Sequence, residues 1–292
     1  MKNKLISNEK WQLVSVILRF SFITFVSGMM FVPFIWTICT AFKPTSEVAS
    51  MHFIPKNPQP ENFLIILRLL PDPFTKKLLD VHLWKWILNS VFISTWITVL
   101  QVVTSSMAAY AFSRIEWKGR NKVFLMYMAT MMIPGMVLSI PLFQIMVNLE
   151  LVNTYKGLII PAAFSAFGTF MLRQFMLGIP LSYNEAAEID GASHSQIFLE
   201  IILPLTKPGI ITLTIFTFLG SYKNLLWPLI MIKAPHLRTV PIGLLSFQGQ
   251  YSSQIEMLLA STVVCIMPLI VMFIFMQKNL IRGIHLGGGV KE

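Results

Sequence analysis

The chain has 292 residues, 55% of them hydrophobic and only 12% charged, with a net charge of +10 and a mean hydropathy of +0.68. That charged share is about half of what a soluble domain carries, which excludes an ordinary water-soluble globule and points to an integral membrane protein. The basic residues form no stripe interleaved with aromatics, so a nucleic-acid partner is excluded and membrane topology is left to explain the charge.

Six apolar stretches predict membrane-crossing helices, at 20–42, 86–112, 123–146, 157–172, 208–232 and 257–276. About 20 apolar residues cross a hydrocarbon layer roughly 30 Å thick, and backbone groups in lipid must be paired internally. The expected fold is therefore all-α, a single polytopic membrane domain covering 1–292. The first stretch follows Lys2, Lys4 and Lys10; it is too long for a signal-peptide core, has no small-residue cleavage site, and is expected to remain as an anchor. Next comes a proline-rich loop, 43–85, in which "ENFLIILRLL" carries a lone Arg68 and predicts a short helix lying on the outer membrane interface. Trp84 and Trp86 then mark the interface at the start of the second span.

Between the second and third spans, Arg114, Lys118, Arg120 and Lys122 crowd the segment 113–122, whereas the loop 147–155 has no Lys or Arg. The positive-inside rule accordingly places both termini in the cytoplasm, with 43–85 external and 181–207 cytoplasmic. The fourth span is short unless it runs on to Leu177 with Arg173 snorkelling. Cys39 and Cys265 fall within spans and read as packing residues rather than a disulfide. Met126, Met128, Met131, Met132 and Met136 read as adaptable packing, and Pro134, Pro141, Pro228 and Pro268 as helix kinks.

Absences narrow the chemistry. All thirteen Asp and Glu residues lie outside the six stretches, which argues against an ion-coupled secondary carrier, the main alternative reading. Gly-Lys never occurs, so there is no Walker A loop. The five histidines show no metal-ligand spacing and no nucleophile–base set is recognisable, so no catalytic residue, metal ligand or cofactor is assigned.

The segment 181–209, "LSYNEAAEIDGASHSQIFLEIILPLTKPG", stands apart because it sets an acidic run between two apolar stretches. Ser182 and Glu185 have the spacing of a capping box, predicting a helix from Tyr183 that ends near Gly191. Glu185 and Glu188 share a face, and Ala186 and Ala187 leave room for a partner's backbone. A second helical run, 193–203, is expected to stop at Pro204, with the fifth span starting at Pro208. Carboxylates are repelled by an anionic inner leaflet, which favours a protein partner over lipid.

"EAAEIDGASHSQIFLEIILPLTKPG" resembles the EAA motif of the permease subunits of ATP-binding-cassette importers: Glu185, Ala186, Ala187, Gly191, Leu203 and Pro204 match position by position. The carbohydrate-importer branch is resembled further by "TMMIPG" at 130–135, "FMLRQFM" at 170–176, "LLWPL" at 225–229 and "GGGVK" at 287–291. The resemblance implies a permease of a sugar importer, or of an importer for another solute, in a prokaryotic inner membrane. It implies a coupling helix presenting Glu185, Ala186, Ala187, Asp190 and Gly191 to a separate ATPase that binds the ATP. The implied partners are a second permease, two ATPase subunits and an external solute-binding protein. One departure concerns the fifth span, where Tyr222 and Lys223 replace a frequent Trp-Asn. Both are candidates for a substrate path, Tyr222 by stacking on a sugar and Lys223 by selectivity; the alternatives are ordinary packing for Tyr222 and snorkelling for Lys223.

Overall fold

A computed structural model describes residues 2–50, 52–73, 76–251 and 254–287. Its elements in chain order are α1 (Lys2–Ala41), α2 (Thr45–Val48), α3 (Glu61–Ile66), α4 (Leu83–Ser113), α5 (Arg120–Ala129), α6 (Gly135–Asn148), α7 (Tyr155–Ile159), α8 (Ala166–Leu177) and α9 (Ser182–Ile189). They continue with α10 (His194–Gln196), a π-helical turn Ile197–Ile202, α11 (Leu203–Leu205), α12 (Lys207–Tyr222), α13 (Leu226–Met231), α14 (Val240–Gln250) and α15 (Ile255–Gly287). Short 3₁₀ turns occupy Thr130–Met132 and Pro235–Leu237, and no strand occurs among the described residues. Of the "GGGVK" stretch, 288–291 lies outside the described residues.

The chain divides into two compact units, one holding 1–81 and 247–264, the other 82–246 and 265–292. In the first, the α1 segment Ser15–Ala41 is apolar and, ahead of the buried Thr40 and Ala41 at its end, without a buried residue, with Phe20, Phe25 and Met29 about two-thirds exposed, as a lipid-facing helix should be. The loop after it is a packed fold of its own. Asn62 donates from Nδ2 to the carbonyls of Ala41 and Lys43, both at 2.9 Å, and Lys43 Nζ donates to the His52 carbonyl at 2.6 Å. The short helix expected in this loop is α3, which buries Ile65 and Ile66 and leaves Leu64 and, just after it, Leu67 and Leu69 exposed; Arg68 follows it with a left-handed φ of 63°.

In the second unit α4 is the spine. Its buried face is rich in Ser90, Ser94, Ser105, Ser106 and Ala109, small residues that let helices approach closely. A Cβ on Gly168 of α8 would lie 2.6 Å from Ser105 Oγ, and one on Gly209 of α12 would lie 2.7 Å from the Phe175 ring, so these glycines make room for the Ser105 hydroxyl of α4 and the Phe175 ring of α8. Trp86 is 4% exposed rather than interfacial, because its indole fills the space a side chain at Gly243 would need.

Among the described residues three helices are individually long and apolar enough to span, Ser15–Ala41, Leu83–Ser113 and Ile255–Gln277, and the number reaches five if each of two bent pairs is one span. The expected third span is broken by 96° between Met132 and Gly135. Ile133 is extended there (φ −84°, ψ 118°), because Pro134 bars the helical conformation from the residue before it. The bend leaves Met126, Met132 and Met136 more than 60% exposed, so these methionines do not fill a core within this chain.

The expected fourth span is not one helix. α7 ends before Pro161 and α8 begins only at Ala166, running on to Leu177. Its freed carbonyls are satisfied by α4: Gln101 Nε2 donates to Ala162 O at 2.7 Å and Thr104 Oγ1 to Ala163 O at 2.8 Å. Unwound backbone at membrane depth requires such partners. Arg173 does not snorkel; its Nε donates to Phe112 O at 3.1 Å and its guanidinium lies 4.1 Å from the centroid of the Phe124 ring. The expected fifth span stops at Tyr222 and resumes as α13.

Candidate functional site

The acidic loop begins where α8 ends. Leu181 takes helical dihedrals (φ −66°, ψ −26°) and its carbonyl accepts from Asn184 N at 2.8 Å and Glu185 N at 3.1 Å, so α9 starts one residue before the expected Tyr183. Ser182 is thus inside the helix and caps nothing, and the Ser182–Glu185 box does not form. A capping box forms instead eleven residues later: Ser193 N donates to Gln196 Oε1 at 2.8 Å and Ser193 Oγ accepts from Gln196 N.

The far end of α9 closes as its sequence indicates. Gly191 has φ +80° with nothing within 4 Å of a would-be Cβ, and Ala192 N donates to Ala187 O while Gly191 N donates to Glu188 O. This paired pattern around a left-handed residue satisfies two of the last helical carbonyls. The run after it does not stop at Pro204. A π-turn at Ile197–Ile202 shifts the hydrogen-bond register ahead of the proline, the helix passes through α11, and a 74° bend leads into α12.

The two faces of α9 differ in kind. Asn184 and Ala187 are buried, and Ala187 packs in one cluster with Ala109 and Tyr110 of α4, Leu172 and Met176 of α8, and Ile197, Ile202 and Leu213. The small side chain of Ala187 therefore serves contact within the chain. Outward stand Glu185, Ala186, Glu188, Asp190 and Ile189, the last 86% exposed. Arg114, which the sequence presents only as a topology charge, fixes this seat: its Nη2 donates to the carbonyls of Met176 and, at 2.6 Å, Ile179. It ties the C-terminus of α4 to the last turn of α8, from which α9 departs. Burial pushes the guanidinium below its usual range.

A second feature of the same unit is a cavity of about 390 Å³ between α4, the 160–165 linker, α12 and α13. Ser94, Gln101, Thr217, Ser221, Asn224 and Trp227 are among its lining residues, and no charged side chain lines it. Gln101 is held at both ends, donating to Ala162 O and accepting from Thr217 Oγ1 at 3.2 Å, and Trp227 Nε1 donates to Gly157 O at 3.1 Å. Tyr222 is not on this wall; it is buried, with its hydroxyl donating to Cys265 O at 2.7 Å and its ring stacked on Phe218 at 6.0 Å. Lys223 is the exposed C-cap of α12, and the wall residues nearest to it in sequence are Ser221 and Asn224.

Comparisons with known proteins place these features in context. Residues 101–285 match the family model described as "Binding-protein-dependent transport system inner membrane component". The arabinooligosaccharides transport system permease protein AraQ of Halalkalibacterium halodurans is 37% identical over 99% of both chains. The sn-glycerol-3-phosphate transport system permease protein UgpE of Salmonella typhi is 34% identical over 69% of this chain and 72% of its own. Among solved structures, a bacterial ABC transporter involved in the import of the acidic polysaccharide alginate has a chain that superposes with a TM-score of 0.75 at 22% identity, over 91% of this chain and 96% of its own, a likeness of fold.

Proposed function

Because this chain belongs to the family of binding-protein-dependent transport system inner membrane components, we propose that it forms half of the translocation path of a sugar importer and is driven through α9 by a separate ATPase. The chain is a permease of an ATP-binding-cassette importer, a multi-pass membrane subunit and not itself a catalyst. The proposed assembly adds a second permease, two ATPase subunits and an external solute-binding protein, with both termini and α9 in the cytoplasm. The exposed α5–α6 methionines supply apolar surface suited to the second permease. Sugar as the solute is supported by the arabinooligosaccharide permease that this chain resembles over nearly its whole length.

The observation that carries the coupling is the division of α9. One face is locked into the chain's own core by Ala187, and the other offers Glu185, Glu188 and an unpaired Ile189. An isoleucine that exposed beside three carboxylates suits a groove on a protein and not an anionic membrane surface. Closure of the ATPases would displace α9, and its packing would pass the shift to α8 and α12 as one rigid body. Uptake into membrane vesicles tests the reading: it should collapse when ATP is removed with the ion gradients intact, and survive a protonophore with ATP present. The opposite pattern identifies a secondary carrier. In vesicles carrying cysteine at 189 in place of isoleucine, crosslinking to the ATPase subunit should be recovered; its absence removes α9 as the coupling element.

A further inference from the structure

The joint between α9 and the end of α4 holds polar groups that the structure leaves unused. Tyr110 and its C-cap neighbour Arg114 stand one turn apart on α4, and Asn184 and Ala187 stand three residues apart on the buried face of α9. The two pairs meet. Tyr110 packs in the cluster that holds Ala187, with its ring centroid 5.0 Å from that of Phe198, and Arg114 Nη2 donates to Ile179 O, two residues before the Leu181 carbonyl that starts α9. Tyr110, Arg114 and Asn184 are 5%, 9% and 7% exposed, yet Tyr110 Oη, Arg114 Nε and Asn184 Oδ1 have no hydrogen-bond partner among the described residues. All three atoms are sealed from a water-sized probe, so water does not replace the missing partners. A sealed polar atom without a partner destabilises the arrangement that contains it, and here three of them belong to one joint.

The three atoms are chemically complementary. A phenol hydroxyl and a guanidinium Nε–H both donate, and an amide oxygen has two lone pairs, so Asn184 Oδ1 is able to accept from both donors at once. The acceptor lies on the helix that the ATPase is proposed to move, and the donors lie on the helix against which it moves. Interfaces that switch between two packings commonly do so through helix shifts of about 1–2 Å, enough to turn a non-bonded contact into a hydrogen bond. We propose that Asn184 is a positioning residue for the coupling step: displacement of α9 brings its Oδ1 onto the Tyr110 hydroxyl and Arg114 Nε, so that the joint has two packings and the structure shows the under-bonded one. Engagement of the ATPase then draws α9 into a second, better-bonded seat and does not merely push it. The proposal rests on the importer reading above and deepens it to one joint and three side chains.

The test uses the complete importer, the permease pair with its ATPases, in lipid nanodiscs. Two quantities are measured: the melting temperature without nucleotide, and the fraction of complexes that vanadate traps with the ATPases closed at limiting MgATP. Tyr110→Phe keeps the ring and Asn184→Leu keeps the volume, so each removes polar atoms from the joint without emptying it. Without nucleotide both variants should melt at the wild-type temperature or above it, because an atom without a partner has been removed, and their effects should add in the double variant. At the MgATP concentration that traps half of the wild type, the trapped-to-untrapped ratio should fall about three- to tenfold in Tyr110→Phe, the loss of one net hydrogen bond, and at least as far in Asn184→Leu. The double variant should trap no worse than Asn184→Leu alone. A purely structural role lowers the melting temperature instead, so single variants that melt lower overturn the proposal. It is equally overturned by single variants that trap like the wild type, or by losses that multiply in the double variant, and these outcomes leave the import reading standing. Wild-type complexes that MgATP and vanadate do not trap at all would overturn that reading, and this inference with it.

Discussion

Ile189→Ser separates the proposed docking role of α9 from its role in the fold. Ile189 is 86% exposed, so replacing it removes almost no buried contact within the chain, and stability should change by no more than about 0.5 kcal/mol. If the side chain enters a groove on the ATPase, its burial there is worth about 1.5–3 kcal/mol. At 1.4 kcal/mol per decade, the variant should bind the ATPase about 10- to 100-fold more weakly. The measurement is a titration of purified ATPase onto the permease pair in lipid nanodiscs, with wild-type and variant melting curves recorded alongside. Transport at saturating sugar should fall in proportion to the ATPase lost. Wild-type affinity in a variant that melts normally would refute the assignment of this face as the docking surface.

Substitutions at three further positions probe the same loop and its seat. Glu185→Gln removes a charge from the first turn of α9, where a carboxylate gains about 0.3–1 kcal/mol from the helix dipole; membrane levels should hold while ATPase binding weakens several-fold, as pull-down from solubilised membranes would show. Gly191→Val forces a β-branched residue to φ +80°, costing about 1–2 kcal/mol or more, whereas Gly191→Asn should be nearly silent, and uptake rates of the two should separate accordingly. Arg114→Met removes the charged donor from the carbonyls of Met176 and Ile179, a loss of about 1.5–3 kcal/mol per bond. It should lower the melting temperature and raise protease sensitivity at 177–181, with Arg114→Lys intermediate.

The legible parts of the chain were those fixed by local chemistry. An apolar run of sufficient length must be helical in lipid, so α1, α4 and α15 follow from composition. The left-handed Gly191 at the end of α9 follows from glycine's lack of a Cβ. What sequence could not supply depended on neighbours. Ser182 has capping chemistry, but whether it caps is decided by the conformation of Leu181 before it. Hydropathy averages over Pro134 and Pro161 and joins across them segments that the structure breaks. The buried Lys43 and Ile66 of the 43–85 loop answer to a fold that includes residues far along the chain, such as Glu256, whose Oε1 accepts from Thr45 Oγ1 at 2.6 Å.

Arg114, Gln101 and Ser94 show why polar residues within or beside an apolar helix should be examined one at a time. All three belong to α4 or its C-cap, and in a hydropathy window they only dilute the signal of the span. In space Arg114 holds the end of α8 beside α9, Gln101 holds the unwound 160–165 linker against α12, and Ser94 borders the cavity. In the proposed cycle these positions receive the motion at one end and pass it to the cavity wall at the other. Close packing of α8 on α4 through Gly168 and Ser105 leaves no slack between them, so a displacement of α9 cannot be absorbed by side-chain rearrangement alone. It must shift α8 relative to α4, or carry both together, and in either case the linker carbonyls bonded to Gln101 and Thr104 are where the cavity wall would yield.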